Sequence, residues 1–518
     1  MGALATGQLA RGEFAIELEN VSFAYGPAGA LGSTVLNDVT LKVPYGQCLC
    51  ITGPSGCGKT TLTQLVNGLI PSFYEGETKG TVRVGGIDVN QWEMDDLCRF
   101  VGSVFQNPRS QFFNLDTTSE LAYGCENLGI ERREILRAIA QSAEALELDG
   151  LLERDIHDLS GGQRQLLALG ATCAMGAELL VLDEPTANLD AAATHLVKRA
   201  LQRLRAQGKT IVIVEHRLHW LDGLVDRVVR IGNGCVAGDW PAREFASLST
   251  SELAAMGLRA WSLKGLPKCF PPAAENAAAT PAAARQSVQA NGLRAGYRKH
   301  RDILRGLSLS AEGGHAIAVI GRNGQGKSTF ASVMSGLMRE SYGGISIDDR
   351  PLAPRDRVGS VYLVLQESGY QLFGSSVLEE FAIGLSRKNE CDQGRVENLL
   401  GRFGLLEKKD RHPASISGGE KQRLAMAVGI HSGARILVLD EPTSGLDLTN
   451  MARCASEIRR LTEAGCCVLV ITHDAEFALA ACDQVIEIDG GRVRASYDLD
   501  EHTAERALRV LAPSALAP

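Results

Sequence analysis

The sequence predicts an α/β chain of two similar domains, each built on a mainly parallel central sheet, and three observations carry that prediction. The first is size: 518 residues exceed what one hydrophobic core usually supports. The second is an internal repeat. Gly53-Pro-Ser-Gly-Cys-Gly-Lys59-Thr60 returns as Gly321-Arg-Asn-Gly-Gln-Gly-Lys327-Ser328, Leu159-Ser-Gly-Gly-Gln163 as Ile416-Ser-Gly-Gly-Glu420, and Val181-Leu-Asp-Glu-Pro-Thr186 as Val438-Leu-Asp-Glu-Pro-Thr443. The third is the alternation, within each copy, of β-branched apolar runs with amphipathic helix patterns, which is how a parallel sheet with crossover helices reads.

Taken in order, strands are expected at 48–52, 179–182 and 211–214, and again at 317–320, 436–439 and 468–471. A helix follows the first motif in each copy, with the stripe Leu62, Leu65, Val66, Leu69 repeated as Phe330, Val333, Met334, Leu337. The offset is 268 residues at Lys59/Lys327, 260 at Gln106/Gln366, and 257 at Ser160/Ser417, Glu184/Glu441 and His216/His473. Spacing is thus constant late in each copy, and insertions fall between the earlier motifs. That is a duplicated domain, since solenoid periods are several-fold shorter. Residues 266–286 hold four prolines, eight alanines and three charges, which reads as a flexible, partly extended linker. The expected division is 1–262, a linker at 263–287, a second domain at 288–510 and a tail at 511–518.

A net charge of −8 argues against a polyanion-binding surface, so no nucleic-acid partner is expected. No stretch approaches the length of a membrane span, and residues 1–11 lack the pattern of a signal peptide, which points to the cytosol. Thirteen cysteines with no CxxC pair read as reduced core residues, with Cys48, Cys50, Cys466 and Cys467 on buried strands. Cys57, inside the first glycine-rich motif, reads as a loop filler.

The GxxxxGK[ST] motif, coming after a strand and opening a helix, is a phosphate cradle. Its glycines turn backbone N–H groups inward, and the helix N-terminus adds positive charge. Gly53, Ser55, Gly56, Gly58, Lys59, Thr60 and Thr61 form the first cradle; Gly321, Asn323, Gly324, Gly326, Lys327, Ser328 and Thr329 form the second. The lysines suit β- and γ-phosphates, and Thr60 and Ser328 suit Mg²⁺. Asp183-Glu184 and Asp440-Glu441 end apolar strands. The aspartates suit the Mg²⁺ shell, and the glutamates suit a general base acting on water.

The Leu-Ser-Gly-Gly-Gln segment, 24 residues before the second carboxylate in both copies, resembles the signature of ATP-binding-cassette (ABC) ATPases. The resemblance implies a P-loop NTPase fold with an antiparallel β subdomain and a helical signature subdomain, and ATP and Mg²⁺ as ligands. It implies that Ser160, Gly161 and Gly162, and Ser417, Gly418 and Gly419, open helices facing a γ-phosphate held by the other cassette. Gln106 and Gln366 look like Q-loop glutamines near Mg²⁺, and His216 and His473 like switch histidines with a catalytic role. Asp190 and Asp447 look like D-loop aspartates, and Tyr25 and Tyr297 like aromatics that stack on adenine. Ile416 and Glu420 depart mildly from the signature.

Three further stretches narrow the resemblance. Pro108-Arg-Ser-Gln-Phe112-Phe113 through 117–122, Gly369-Tyr-Gln-Leu-Phe373 through 376–380, and Val214-Glu-His-Arg-Leu218 look like the duplicated ATPases of energy-coupling-factor importers for vitamins or transition-metal ions. That family implies a transmembrane scaffold and a small substrate-binding membrane protein as partners, at the cytoplasmic face of the membrane. Tandem cassettes of sugar or peptide importers are the main alternative. Soluble ribosome-associated tandem cassettes are a second, although a basic helical linker is expected there.

Overall fold

The apolar runs fold as the interior strands of two six-stranded sheets. A computed structural model describes residues 13–26, 32, 34–266, 286–297, 300–383 and 392–513. The chain divides into two compact units, Met1–Ser262 and Leu263–Pro518. Most of the expected linker and residues 514–518 of the tail lie outside the described residues.

In chain order the first unit has β1 (Phe14–Tyr25), β2 (Thr34–Pro44), β3 (Cys48–Thr52), β4 (Gly76–Val84), β5 (Ile87–Asp88), β6 (Val101–Val104), β7 (Leu179–Asp183), β8 (Thr210–Val214), β9 (Arg227–Gly232) and β10 (Cys235–Pro241). The large sheet runs β10-β9-β3-β8-β7-β6, parallel except for β10, and an antiparallel sheet runs β2-β1-β4-β5. The second unit repeats this with β11 (Ser287–Tyr297), β12 (His300–Glu312), β13 (Ala316–Ile320), β14 (Tyr342–Ile347), β15 (Arg350–Leu352), β16 (Val361–Val364), β17 (Ile436–Asp440), β18 (Cys467–Ile471), β19 (Gln484–Asp489) and β20 (Arg492–Asp498). Its sheets run β16-β17-β18-β13-β19-β20 and β12-β11-β14-β15.

Burial on both faces explains why these strands are continuously apolar. In the first unit Cys48, Cys50, Leu180, Leu182, Ile211 and Ile213 pack beneath the helices that include Gly161–Ala174 and Ala191–Ala206. The alternate residues Leu49, Ile51, Leu179, Val181, Val212 and Val214 pack against the antiparallel sheet. Each such side chain contributes about 1.5–3 kcal/mol on burial.

Two details depart from expectation. The helix after each glycine-rich loop stops early, at Val66 and Met334, because Gly68 and Gly336 adopt φ 73° and 79°. Leu337 therefore leaves the buried stripe and is 69 % exposed. Cys466 precedes β18 in a turn and is only half-buried, whereas Cys48, Cys50 and Cys467 are buried as expected. Among the described residues no helix is long and apolar enough to cross a membrane.

Candidate functional site

Parallel strands place their loops at one edge, and here the loops after β3, β7 and β8 are neighbours. Ile51 of β3 pairs with Val214 of β8, which in turn pairs with Asp183 of β7. Three segments far apart in sequence therefore end at one level, which is where open α/β sheets bind ligands. In the second unit β13, β18 and β17 are neighbours in the same way.

The loop after β3 closes tightly on the sheet. At Gly53, with φ 146°, a Cβ would lie 2.1 Å from the Ile231 carbonyl oxygen; at Gly321, with φ 150°, it would lie 2.2 Å from that of Ile488. No other residue fits either position. Lys59 Nζ donates to the carbonyls of Gly53 (2.9 Å) and Pro54 (2.8 Å). Lys327 Nζ donates likewise to Gly321 (2.7 Å) and Arg322 (3.0 Å). Each ammonium thus lies beside its loop at the start of the helix Lys59–Val66 or Lys327–Met334. A phosphate entering there meets both a cation and the free N–H groups of a helix N-terminus. Cys57 is buried in this loop, and burial pushes its thiol up, in keeping with a filler role.

The residues present fit Mg²⁺. Thr60 Oγ1 donates to Asp183 Oδ2 at 3.1 Å, and Ser328 hydrogen-bonds Asp440. A hydroxyl and a carboxylate are hard oxygen ligands, leaving further positions to phosphate oxygens and water. Burial raises both aspartates, and the hydroxyls and the nearby lysines oppose that rise.

Glu184 and Glu441 leave their strands in the left-handed region, φ 46° and 50°, which non-glycine residues rarely adopt. Backbone bonds hold them there: Glu184 N–H donates to Val214 O and Glu441 N–H to Ile471 O, each at 2.9 Å. His216 Nε2 lies 3.5 Å from Glu184 Oε1, and His473 Nε2 lies 3.6 Å from Glu441 Oε1. Gln106 Nε2 donates to Glu184 Oε2 at 2.9 Å. His473 Nε2 also lies 2.8 Å from Asn323 Oδ1, which joins the histidine to the second glycine-rich loop. Gln106 and Gln366 occupy equivalent places, two residues beyond β6 and β16.

Burial, then Glu215, then Asp183 push the Glu184 carboxyl up to about 8. Burial also holds His216 well below its ordinary range, with Lys59 and Arg259 adding to the effect. The imidazole is therefore neutral, able to accept or donate one hydrogen bond.

The two Ser-Gly-Gly segments are N-terminal caps. Ser160 caps Gly161–Ala174 and Ser417 caps Gly418–His431, each through a reciprocal capping box with Gln163 or Glu420. The box accepts either residue type, which explains why Glu420 is tolerated. Gly161 and Gly162, and Gly418 and Gly419, form the first turns of these helices. Asp190 and Asp447 are also caps, accepting from Ala193 N–H and Asn450 N–H at 2.8 Å. Thr61 is tied to Tyr25, whose hydroxyl lies 3.0 Å from Thr61 Oγ1 and donates to Gln64 Oε1 at 2.8 Å. The Tyr25 ring sits edge-on to Phe23, whereas Tyr297 is 53 % exposed; Thr329 is buried.

Several residues that hold the site were not singled out from sequence. Thr186 donates to buried Glu215 at 2.9 Å, and Thr443 to Asp474 at 3.0 Å, so the carboxylate that fixes the histidine loop changes sides of the histidine between copies. Gln111 and Gln371 accept from Phe105 N–H (2.9 Å) and Leu365 N–H (2.7 Å) beside the two glutamines. Buried Glu120 accepts from the N–H groups of Phe113 (3.1 Å) and Asn114 (2.9 Å), and buried Glu380 from that of Gly374 (2.5 Å). Identity at the 260-residue offset is the signal that could have found Gln111/Gln371 and Glu120/Glu380.

The ABC transporter family matches residues 36–187 and 304–444. The chain is 39 % identical to a "Putative ABC transporter ATP-binding protein" of Treponema denticola, over 92 % of this chain and 96 % of that protein. It is 32 % identical to the "Putative HMP/thiamine import ATP-binding protein YkoD" of Bacillus subtilis, over 91 % and 89 %. Among solved structures, one titled "RNase-L Inhibitor" matches with a TM-score of 0.61 at 22 % identity, over 95 % of this chain and 93 % of that one, a likeness of fold.

The raised Glu184 carboxyl has a consequence for stability. The folded chain holds this proton more tightly than the unfolded chain does. Its contribution is therefore complete below the ordinary value of 4.5 and is lost as pH rises through about 8. Glu184→Gln cannot ionise. In nucleotide-free protein its melting temperature is expected to gain on the parent by a margin that widens from about pH 6.5 to about pH 8.5. Parallel melting curves across that range would count against the assignment.

Proposed function

Because this chain belongs to the ABC transporter family, as a tandem of two ATPase domains, we propose that it is the motor of an energy-coupling-factor type importer for a vitamin or a transition-metal ion. Its partners are a transmembrane scaffold and a small substrate-binding membrane protein, and it works at the cytoplasmic face of the membrane. The observation that carries this reading is a matched pair of exposed aromatics just after the two glutamines. Phe113 and Phe373, 260 residues apart, are 71 % and 75 % exposed. Phe112 beside the first is partly buried against the core, whereas the exposed Phe113 stacks on Tyr123 with ring centroids 4.9 Å apart. Tyr370 (74 %) and Leu115 (73 %) extend the two patches. Exposed apolar clusters on a rigid frame suit docking to another protein. The relative whose name gives it an HMP/thiamine import role matches along most of both chains and favours a vitamin-type cargo.

The site residues divide the work of hydrolysis. Lys59 and Lys327, with the loop N–H groups, hold the β- and γ-phosphates. Thr60 with Asp183, and Ser328 with Asp440, hold Mg²⁺, which when bound neutralises phosphate charge. Glu184 and Glu441 act as ionised carboxylates, a form that Mg²⁺ bound beside them would favour over the proton the nucleotide-free Glu184 holds. They take a proton from water as its oxygen attacks the γ-phosphorus, and the bond to the ADP oxygen breaks, releasing ADP and phosphate. Gln106 and Gln366 orient that water, and His216, through a neutral ring, and His473 hold the γ-phosphate. Asp190 and Asp447 keep the adjoining helices capped, and Tyr25 and Tyr297 provide rings for the base. The signature helices opening at Ser160 and Ser417 present their N-termini to a γ-phosphate, so ATP binding makes that contact and hydrolysis removes it.

Two measurements test this. Glu184→Gln combined with Glu441→Gln should keep ATP binding while turnover falls by about 100-fold or more; ordinary steady-state hydrolysis would remove the general-base assignment. A mild-detergent pull-down of the tagged chain, read by mass spectrometry, should recover one many-spanning membrane protein and a small one, and Phe113→Asp with Phe373→Asp should abolish that recovery. Recovery of ribosomal proteins without a membrane protein would replace the importer reading with that of a soluble ribosome-associated cassette pair.

A further inference from the structure

The two signature helices share a frame and differ in one charge. In the first, Gln163 Oε1 accepts the Ser160 N–H at 2.9 Å, and the other arm of the amide carries N–H donors. In the second, Glu420 Oε2 accepts the Ser417 N–H at 2.9 Å, and the other arm is a carboxylate oxygen that can only accept. A carboxylate in this first turn favours the helix itself. It also repels any phosphate that approaches the same N-terminus.

Lys408 answers that charge. Its Nζ donates to Glu420 Oε1 at 2.5 Å, with the lysine side chain 33 % and the glutamate 15 % exposed. Lys408 ends the short 3-10 turn Leu406–Lys408, whose counterpart in the first unit is Asp149–Leu151. At the constant offset of 257 residues, Lys408 stands where the first copy has Leu151, and Glu420 where it has Gln163. Charge and countercharge are thus present together in one copy and absent together from the other. Burial pushes the Glu420 carboxyl up, but the bonds from Lys408 and Ser417 outweigh it and hold the group below its ordinary range. Glu420 is therefore a carboxylate beside the lysine.

We propose that Lys408 is a positioning residue for the second phosphate-contacting helix: it neutralises Glu420 and supplies an N–H donor where the first copy has an amide. The helix opening at Ser417 can then receive a γ-phosphate as the Ser160 helix does. This rests on the reading above of Ser417, Gly418 and Gly419 as phosphate contacts. Lys408 acts through Glu420 and does not touch substrate.

The test is steady-state ATP hydrolysis by the full chain as a function of ATP and salt. Lys408→Leu, which copies the first unit, is expected to raise the apparent KM for ATP about tenfold at low ionic strength, with kcat changed much less. The defect should shrink as the Debye length falls from about 30 Å at 0.01 M to about 8 Å at 0.15 M salt. Adding Glu420→Gln to Lys408→Leu should recover most of the loss, as should Lys408→Arg in place of Lys408→Leu. A purely structural role would leave the defect insensitive to salt and unrescued by Glu420→Gln. Kinetics of Lys408→Leu equal to those of the parent, or a double variant no better than the single, would overturn the proposal. If Lys408→Leu fails to fold, Lys408→Gln against Lys408→Arg makes the same comparison. Ser417→Arg is the control. If it too leaves hydrolysis untouched, the phosphate-contact reading falls; if it impairs hydrolysis while Lys408→Leu does not, the role of Lys408 alone falls.

Discussion

The adjacency of β3, β8 and β7 is the constraint on which the rest of the structure depends. Lys59, Asp183, Glu184 and His216 are dispersed over more than 150 residues of sequence. They meet only because three parallel strands are hydrogen-bonded neighbours that end together. The second unit reproduces this with β13, β18 and β17. A parallel sheet delivers such convergence because every strand sends its following loop to the same edge. The cost is local. Glu184 and Glu441 sit in left-handed backbone, and Gly53 and Gly321 admit no side chain. The buried apolar residues on both faces of the sheet hold that strain in place.

The two copies keep the geometry while exchanging the groups that maintain it. The carboxylate that accepts from the threonine after each Glu-Pro pair is Glu215 on one side of His216, and Asp474 on the other side of His473. Asp474 also caps the helix Ala475–Ala481, where the first unit has only the 3-10 turn His219–Leu221. The capping boxes show the same pattern, with Gln163 neutral and Glu420 paired to Lys408. Each exchange preserves a hydrogen bond and shifts a charge, so the surroundings of the two catalytic candidates differ while their geometry does not. Glu215, for example, adds to the upward push on the Glu184 carboxyl.

Much of this was legible in the sequence because the signals are local. All six strands anticipated from apolar runs are present, and each glycine-rich motif lies between a strand and a helix. What escaped depends on tertiary contact. Leu337 continues a helical stripe on paper, but Gly336 ends the helix first. Cys466 adjoins an apolar run yet belongs to the turn before it. Glu120 and Glu380 look like ordinary helix-start acids. Their role in pinning the loops that carry Phe113 and Phe373 appears only once those loops fold back onto them. Asp190 and Asp447 look like D-loop aspartates in sequence, and only the fold shows that each also caps a helix. Pattern reports what a segment prefers, and partner choice across the fold is a non-local property.

The central claim is that each unit carries its own nucleotide site at its own sheet edge. Equilibrium dialysis of the Glu184→Gln, Glu441→Gln chain with labelled ATP and Mg²⁺ tests it most directly. The account predicts two nucleotides per chain, falling to one when Lys59→Ala is added and to one when Lys327→Ala is added instead. A stoichiometry of one, lost with only one of the two lysines, would contradict it.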